Sequence, residues 1–264
     1  MQHSLNCAIA ERPARKPLYL ATRARLRVRA EGESLVVSRD PGGCQRFPVV
    51  RIDRIVCGAR ADWTGEALTL CLARGITVTW VAPGGHPIGD CTPRLARRGG
   101  FHDALELYVE TPEWRFGYAN WLRRQRMSVL IRFARRRLDE GNPVEPTEWE
   151  AHKREFVFKA ELHSPLAPEL HAWCRAAVVA RLAAKGLRSR YYGYDGEALE
   201  LAQDLTTLSW AGLTFRYGGL LAGTLEPEAV PMAFESGAAE REHELQDHLA
   251  RLRMHVARAV DSWL

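Results

Sequence analysis

The chain has 264 residues, of which 46% are apolar, and a formal net charge of +5 at pH 7. This length and composition suffice for one large domain or two modest ones, and they exclude a chain too polar to bury a core. Arginine greatly outnumbers lysine. Because a guanidinium group binds phosphate bidentately, this bias favours an anionic partner such as nucleic acid. A GC-rich genome produces the same bias.

The cysteines and the hydropathy pattern indicate the cellular compartment of the protein and exclude some types of functional site. The six cysteines are scattered, and no Cys-x-x-C occurs, which excludes a zinc ribbon or a dithiol motif. The apolar neighbours of Cys57 and Cys71 predict buried thiols in a reducing compartment. Residues 1–15 lack the apolar core of a signal peptide, and no apolar run is long enough to span a bilayer. We expect a soluble, cytoplasmic protein with no membrane partner.

The first third of the chain alternates short β-type runs with turns. The turns are Glu-Gly-Glu and Asp-Pro-Gly-Gly, which are typical of connections between strands. The predicted strands are 18–20, 24–28, 34–37, 47–50 and 52–56.

A helix–strand–turn unit follows these strands. The stretch ADWTGEALTLCLARG predicts a helix that is capped by Thr64 or Asp62 and ends at Gly75. The apolar strand 76–81 and a Pro-Gly-Gly turn come next. In a phosphate-binding loop these glycines would precede a helix. Because the residues after them, His-Pro-Ile-Gly, cannot begin a convincing helix, the sequence argues against a nucleotide site here.

The rest of the chain is predicted to be helical. Residues 91–113 contain proline, glycine and charge and are predicted to form a linker. Helical patterns follow at 114–137, 148–162, 168–185, 197–221 and 239–263. The predicted fold class is α+β, with a small N-terminal β-rich domain over 1–90 followed by an all-helical C-terminal domain over 114–264.

Several stretches carry a family resemblance. LYLATRARLRVRAEGESLVV, FPVVRIDRIVCGA and EALTLCLARGITVTWVAPGGHPIG resemble, in order and spacing, the N-terminal β-domain of the CRISPR-associated integrase-nuclease family. LRRQRMSVL is similar to the first long basic helix of that family. LSWAGLTFRYGGLLAGTLEPEA is similar to its later helix, which ends in a Leu-Asp-Pro turn. The resemblance implies a homodimer joined through the β-domain and a helical domain that handles short duplex DNA with 3′ ends. It also implies a small ferredoxin-like bridging subunit as a possible partner.

The resemblance further implies a Glu, a His and an Asp around Mg²⁺ or Mn²⁺. The family Glu stands in a Glu-Gly pair, but Trp173-Cys174 occupies about that position here. No histidine follows Glu226-Pro227, where the family has one. Asp247 matches the family Asp, because Arg253 follows it on the same helix at the family spacing. A single carboxylate does not hold Mg²⁺ tightly, which favours a DNA-binding subunit with a degenerate metal site.

Two alternatives remain open at this point. The first is an active metal-dependent integrase and endonuclease, which inserts short duplexes into a CRISPR array. Its candidate catalytic residues are Glu169, His171 and Asp247, with Asp247 as the metal ligand. Glu169 and His171 are otherwise a helix N-terminal acid and a surface histidine, and Asp247 is otherwise a surface acid paired with Arg251. The second alternative is a non-catalytic interaction module of a larger CRISPR-related complex.

One face of the last predicted helix is a further candidate for metal binding. It carries Glu240, His243, Glu244 and Asp247 at spacings of three and four residues. The same pattern is typical of a solvated polar stripe opposite an apolar one.

Two basic stretches predict DNA contacts. The long helix after the predicted linker is dense enough in arginine to neutralise several phosphates. The stretch GLRSRYYGYDG interleaves arginine with tyrosine, as in loops that stack a splayed base. The alternatives are a solvated helix face and a loop whose tyrosine rings pack into the domain. The candidate DNA-binding residues are Arg123, Arg124, Arg126, Arg132, Arg136, Arg188, Arg190 and Tyr191.

Overall fold

The computed structural model describes residues 15–20, 25–39, 42–93, 100–187, 191, 199–221 and 230–263. Strands occupy its N-terminal part and helices the remainder, so the predicted α+β class is confirmed. The strands are β1 (Lys16–Leu20), β2 (Leu26–Glu31), β3 (Ser34–Arg39), β4 (Cys44–Pro48), β5 (Ile52–Gly58), β6 (Ala61–Trp63), β7 (Thr77–Val81) and β8 (Pro87–Cys91). The helices are α1 (Gly65–Ala73), α2 (Gly100–Glu110), α3 (Trp114–Asp139), α4 (Pro146–His152), α5 (Pro168–Ala184), α6 (Leu201–Leu221), α7 (Val230–Ser236) and α8 (Ala238–Trp263).

The strands form two sheets that enclose the N-terminal core together with α1. One sheet has the order β4-β3-β2-β6, and the other has the order β1-β5-β7-β8. In β2, Leu26 and Val28 are buried while Arg27 and Arg29 are exposed. Successive side chains point to opposite faces of a strand, so this alternation directs the apolar face toward the core and the arginines toward solvent.

The second sheet is buried on both faces. Ile55 and Val78 belong to the N-terminal core, whereas Val56 and Val81 pack with residues of α5. Strands β1, β5 and β7 of this sheet run parallel to one another. The apolar residues of β5 and β7 therefore point to both faces of this sheet, as in parallel strands that are covered on both sides.

The Pro-Gly-Gly turn joins β7 to β8 in an antiparallel hairpin that contacts the start of α5. The amide of Gly85 donates to the carbonyl of Ala82 over 2.9 Å, and Gly85 has a φ of +80°. A Cβ at Gly85 would lie 2.5 Å from the carbonyl carbon of Pro168 and 2.6 Å from the amide nitrogen of Glu169. Glycine is therefore required both by the backbone conformation and by the close approach of α5.

We expect Gly85→Ala to lower the free energy of unfolding by about 2–4 kcal/mol, because it combines a left-handed conformation with overpacking against backbone. Gly84→Ala is the matched control, since its Cβ would lie at an ordinary 3.5 Å from the His86 ring. Urea unfolding followed by circular dichroism measures both changes. Equal stability of the two variants would contradict this interpretation of the turn.

The predicted linker is corrected by the structure. Residues Gly100–Glu110 form α2, which buries Leu105 and Tyr108 in the helical core together with His102. These buried residues are spaced by three, which places them on one helix face. The proline, glycine and charged residues on either side of this helix are typical of a linker, which explains the incorrect prediction.

The helical core is organised around α3 and α8, which lie side by side and antiparallel. Gly117 near the start of α3 approaches His255, and Gln125 in its middle approaches His248. Arg132 further along lies 3.5 Å from Glu244. We call this contact the α3–α8 seam. Within the part of the chain that the structure describes, no helix combines the length and apolarity needed to cross a membrane.

Candidate nucleic-acid interface and candidate metal site

The α3–α8 seam holds a buried histidine beneath two arginines. His248 Nδ1 lies 3.0 Å from Oε1 of Gln125. Arg132 Nη1 and Arg251 Nη1 both donate to the Ser128 hydroxyl, over 3.1 and 3.2 Å. Burial, reinforced by the two guanidinium groups, lowers the pKa of His248 to about 3. His248 is therefore neutral at neutral pH, and the positive charge of the seam comes from arginine.

Asp247 lies beside this pair of arginines. Its carboxylate Oδ2 is 3.9 Å from Nε2 of His243, and Arg132 lies within electrostatic range. Across the residues described, no three His, Cys, Asp or Glu side chains come close enough together to hold a metal ion. Asp247 is thus not joined by Glu169 and His171 in one three-ligand site. A divalent cation does not fit well beside a single carboxylate that lies within electrostatic range of a guanidinium group.

The polar stripe of α8 is engaged by arginine. Arg216 of α6 forms ion pairs with Glu240 and Glu244, the latter over 3.1 Å. Arg132 approaches Glu244 from α3. The carboxylates of the stripe therefore face guanidinium groups, and the stripe ties α3, α6 and α8 together.

Glu169 and His171 lie at the start of α5, against the β7–β8 hairpin. The His171 ring packs edge-on to Trp210, with ring centroids 5.5 Å apart. Burial lowers the pKa of His171, and nearby Arg175 and His86 lower it further. The geometry makes His171 a packing residue between the sheet and the helices. A catalytic role for Glu169 and His171 stays a prediction.

Apolar side chains fill the region of α5 where the family Glu-Gly pair is expected. The Trp173 ring packs against Tyr19 and Phe234, with centroids 4.5 and 5.5 Å apart. Burial raises the pKa of the Cys174 thiol to about 11. The Arg241 guanidinium lies 3.9 Å above the Phe234 ring and close enough to Cys174 to affect its pKa. This part of α5 therefore packs against aromatic rings, and the buried Arg241 of α8 lies beside it.

Arg123 and Arg124 are accessible members of the predicted DNA-binding set. Both are exposed on α3, and both donate to Asn120, over 3.4 and 3.3 Å. No carboxylate in the described ranges forms an ion pair with either guanidinium group. Both arginines therefore retain donors that can bind phosphate.

The other predicted arginines of α3 are largely engaged within the protein. Arg126 is partly buried beside Asp204, and burial lowers its pKa. Arg132 is held in the α3–α8 seam, and Arg136 pairs with Glu140 over 2.8 Å. For Arg126 and Arg132 the sequence does not indicate this, because their acidic partners come from other helices, whereas Glu140 follows Arg136 by four residues.

The predicted stacking role of Tyr191 does not fit the structure. Its side chain is fully buried, and its hydroxyl donates to Glu106 over 3.1 Å. A ring without an exposed face cannot stack on a base. Arg188 and Arg190 lie outside the described residues.

Two residues of the site were not predicted from the sequence, namely Arg216 and His248. The position of His248 between Leu245, Leu249 and Leu252 on α8 is a signal of burial, because all four lie on one apolar face. The sequence carries no corresponding signal for Arg216, since its partners come from a helix some 25 residues away in sequence.

A β-rich domain of two sheets, followed by helices with an arginine-lined surface, is the arrangement expected of a CRISPR integrase subunit. The family model for CRISPR-associated protein Cas1 matches residues 18–156, more than half of the chain, and the chain belongs to this family. The search among curated proteins found no match.

Comparison with solved structures shows the same fold. A Cas1 protein from Thermotoga maritima is 16% identical with a TM-score of 0.68, and the match covers 92% of this chain and 97% of that one. TtCas1 in a DNA complex is 15% identical with a TM-score of 0.52, covering 94% and 91%. A casposase bound to an integration product is 13% identical with a TM-score of 0.55, covering 89% and 82%.

Proposed function

We propose that this chain is a DNA-binding, integrase-like subunit of CRISPR spacer acquisition that has a degenerate metal site. The observation that carries the proposal is the exposed, carboxylate-free pair Arg123 and Arg124 on the long helix of a Cas1-family fold. The similar structures of TtCas1 with DNA and of a casposase with an integration product support it. The proposed ligand is a short duplex with 3′ ends.

The surroundings of Asp247 and of Trp173 support the proposal that the metal site is degenerate. Asp247 lies within electrostatic range of Arg132, and the part of α5 expected to carry a glutamate packs Trp173 against two aromatic rings. Phosphodiester transfer at a metal site needs several oxygen or nitrogen ligands that converge on the ion. If the protein is instead an active integrase, its cofactor would be Mg²⁺ or Mn²⁺, and the carboxylate of Asp247 would be a metal ligand.

The proposal includes a homodimer and a bridging subunit between dimers. The β-rich domain is proposed to be the dimerisation domain, as the family resemblance implies. The helical domain is proposed to handle DNA, and the small ferredoxin-like subunit is proposed as the bridge between dimers.

We expect wild-type protein to bind a fluorescent short duplex in a strongly salt-dependent manner. The double variant Arg123→Ala/Arg124→Ala should reduce the slope of log K against log salt by about 2, because each phosphate contact contributes about 0.9. Arg181→Ala is the matched control, since Arg181 already pairs with Glu242 over 2.7 Å. Fluorescence anisotropy over a salt series measures the three slopes. An unchanged slope in the double variant would place the DNA elsewhere.

The degenerate site is tested in a strand-transfer assay with the same duplex and a supercoiled plasmid. We expect no joining in Mn²⁺ beyond that in EDTA. Mn²⁺-dependent joining that is lost in Asp247→Ala would support the active integrase instead. Absence of both joining and duplex binding would favour the non-catalytic interaction module.

A further inference from the structure

A groove lined by arginine lies at one end of the β4-β3-β2-β6 sheet, in the β-rich domain. Its volume is about 510 Å³, within the range of about 300–1,000 Å³ that is typical of ligand sites. Arg25 directly precedes β2, Arg27 lies within β2, and Arg39 is the last residue of β3. All three line the groove together with Asp62 and Trp63 of β6. We call this surface the β6 groove.

The β6 groove carries more positive than negative charge. Its one carboxylate is that of Asp62, whose Oδ2 lies 3.6 Å from Nε of Arg25. Arg27 and Arg39 are both exposed, and neither forms an ion pair with a carboxylate in the part of the chain that the structure describes. Exposed guanidinium groups without a counter-charge bind anionic groups well. The groove is therefore suited to an acidic ligand.

The strand register places the central cation of the groove on the outer face of the sheet. Arg27 lies opposite Ser38 in the antiparallel β2–β3 pair and opposite Asp62 in the parallel β2–β6 pair. Residues directly opposite each other share a face of the sheet. The neighbours of Arg27 in β2, Leu26 and Val28, belong to the N-terminal core instead. A substitution of Arg27 therefore changes the outer surface and leaves the core intact.

The β6 groove also borders an open edge of the sheet. Strand β6 is the last in the order of its sheet and pairs with β2. The amide of Thr64 donates to the carbonyl of Val28 over 3.0 Å. Since alternate residues of a parallel strand bond to the same neighbour, Ala61 and Trp63 direct their backbone groups away from β2. Among the residues described, no other backbone group forms a hydrogen bond with these two.

We propose that the β6 groove binds an extended, acidic peptide segment of a partner protein, which adds a strand beside β6 and places its carboxylates against Arg27 and Arg39. The main chain of the peptide bonds to the outward backbone groups of Ala61 and Trp63, as in other cases of strand addition. A nucleic-acid backbone fits less well. Asp62 repels its continuous line of phosphates, and a phosphodiester chain has no amides to pair with a strand edge.

The test measures binding of a short fluorescein-labelled peptide that alternates glutamate and threonine, by fluorescence anisotropy. The double variant Arg27→Ala/Arg39→Ala is expected to weaken binding by at least about tenfold, since hydrogen bonds to charged groups are stronger than neutral ones. Asp62→Asn should tighten binding, because it removes a like charge from the groove. Arg29→Ala is the matched control, since Arg29 is an exposed arginine of the same strand that already pairs with Glu31.

A second peptide distinguishes strand addition from simple attraction between charges. The same sequence with every amide nitrogen methylated keeps its carboxylates but cannot donate to a strand edge. Weaker binding of the methylated peptide is expected. Inorganic phosphate and a blunt DNA duplex serve as competitors, and neither should displace the unmethylated peptide at equal concentration.

The outcomes are distinct from those that test the proposed function, which the duplex assay with Arg123→Ala/Arg124→Ala decides separately. If the wild type does not bind the acidic peptide, or if the double variant of the groove binds it equally well, the inference is wrong. Displacement by phosphate, with no effect of methylation, would replace it by a site for small anions. Displacement by the duplex would assign the groove to nucleic acid. Circular dichroism melting confirms that each variant is folded.

Discussion

Replacement of Arg175 by methionine is expected to lower the free energy of unfolding by about 3–5 kcal/mol, because it removes the cation of a buried ion pair. Arg175 Nη2 on α5 lies 3.7 Å from Oδ2 of Asp90 on β8, and the two side chains are 3% and 1% exposed. The hydroxyl of Thr79 donates to the other oxygen of Asp90 over 2.7 Å. This chain of contacts joins the second sheet to the helical domain.

Thermal unfolding is the direct measurement, with an expected fall in Tm on the order of 10 °C for a protein of this size. The double variant Arg175→Met/Asp90→Asn should recover part of the loss, since it removes both charges together. Arg181→Met is the control on the same helix. Its side chain is 34% exposed and its ion pair with Glu242 faces solvent, so a change below about 1 kcal/mol is expected. A loss in Arg181→Met as large as that in Arg175→Met would contradict this account of the domain junction.

Acidification is expected to destabilise the protein through His248. Its pKa is about 3 in the folded protein, against 6.5 for an ordinary histidine. Below pH 6.5 the unfolded chain therefore takes up a proton that the folded protein does not. Stability is complete above that pH and falls toward pH 3, and by pH 4 the loss from this group reaches about 3 kcal/mol. Arg132 and Arg251 favour the neutral ring, and Asp247 opposes them.

The measurement is urea unfolding of wild type and His248→Gln at a series of pH values between 4 and 7.5. The variant should lose less stability on acidification, because glutamine does not titrate. His243→Gln is the control, since His243 is an exposed histidine on the same helix, and it should reproduce the wild-type profile. Parallel profiles for wild type and His248→Gln would exclude His248 as the source of acid sensitivity.

Asp204 contributes to the same pH range with the opposite sign. Burial raises its pKa from 3.8 to about 6, and the hydroxyl of Tyr118 donates to it over 2.8 Å. The folded protein therefore binds a proton more readily than the unfolded chain between these values. Its contribution to stability is present at low pH and lost as the pH rises through 6. The difference between wild type and His248→Gln isolates the histidine, because Asp204 is common to both.

Local features of the β-domain were predictable from the sequence. Thr64 caps α1, as predicted, and its hydroxyl accepts from the amide of Ala67 over 3.2 Å. Gly75 follows that helix with a φ of +73°. A helix cap and a left-handed glycine depend on residues within one turn of each other, so their patterns are visible in sequence. The buried thiols of Cys57 and Cys71 were also predicted correctly from their apolar neighbours.

The sequence alone thus determined the alternation of strands, the ends of α1 and the basic character of α3. Only the tertiary structure decided which charges and rings are available. The packing of the helices pairs Arg126 and Arg132 with acidic groups, buries Tyr191 against α2, and leaves Arg123 and Phe158 exposed. Local hydrogen bonds and periodicity act over a few residues. Burial and ion pairing here involve side chains from different helices. Which side chains are buried or paired therefore depends on how those helices pack.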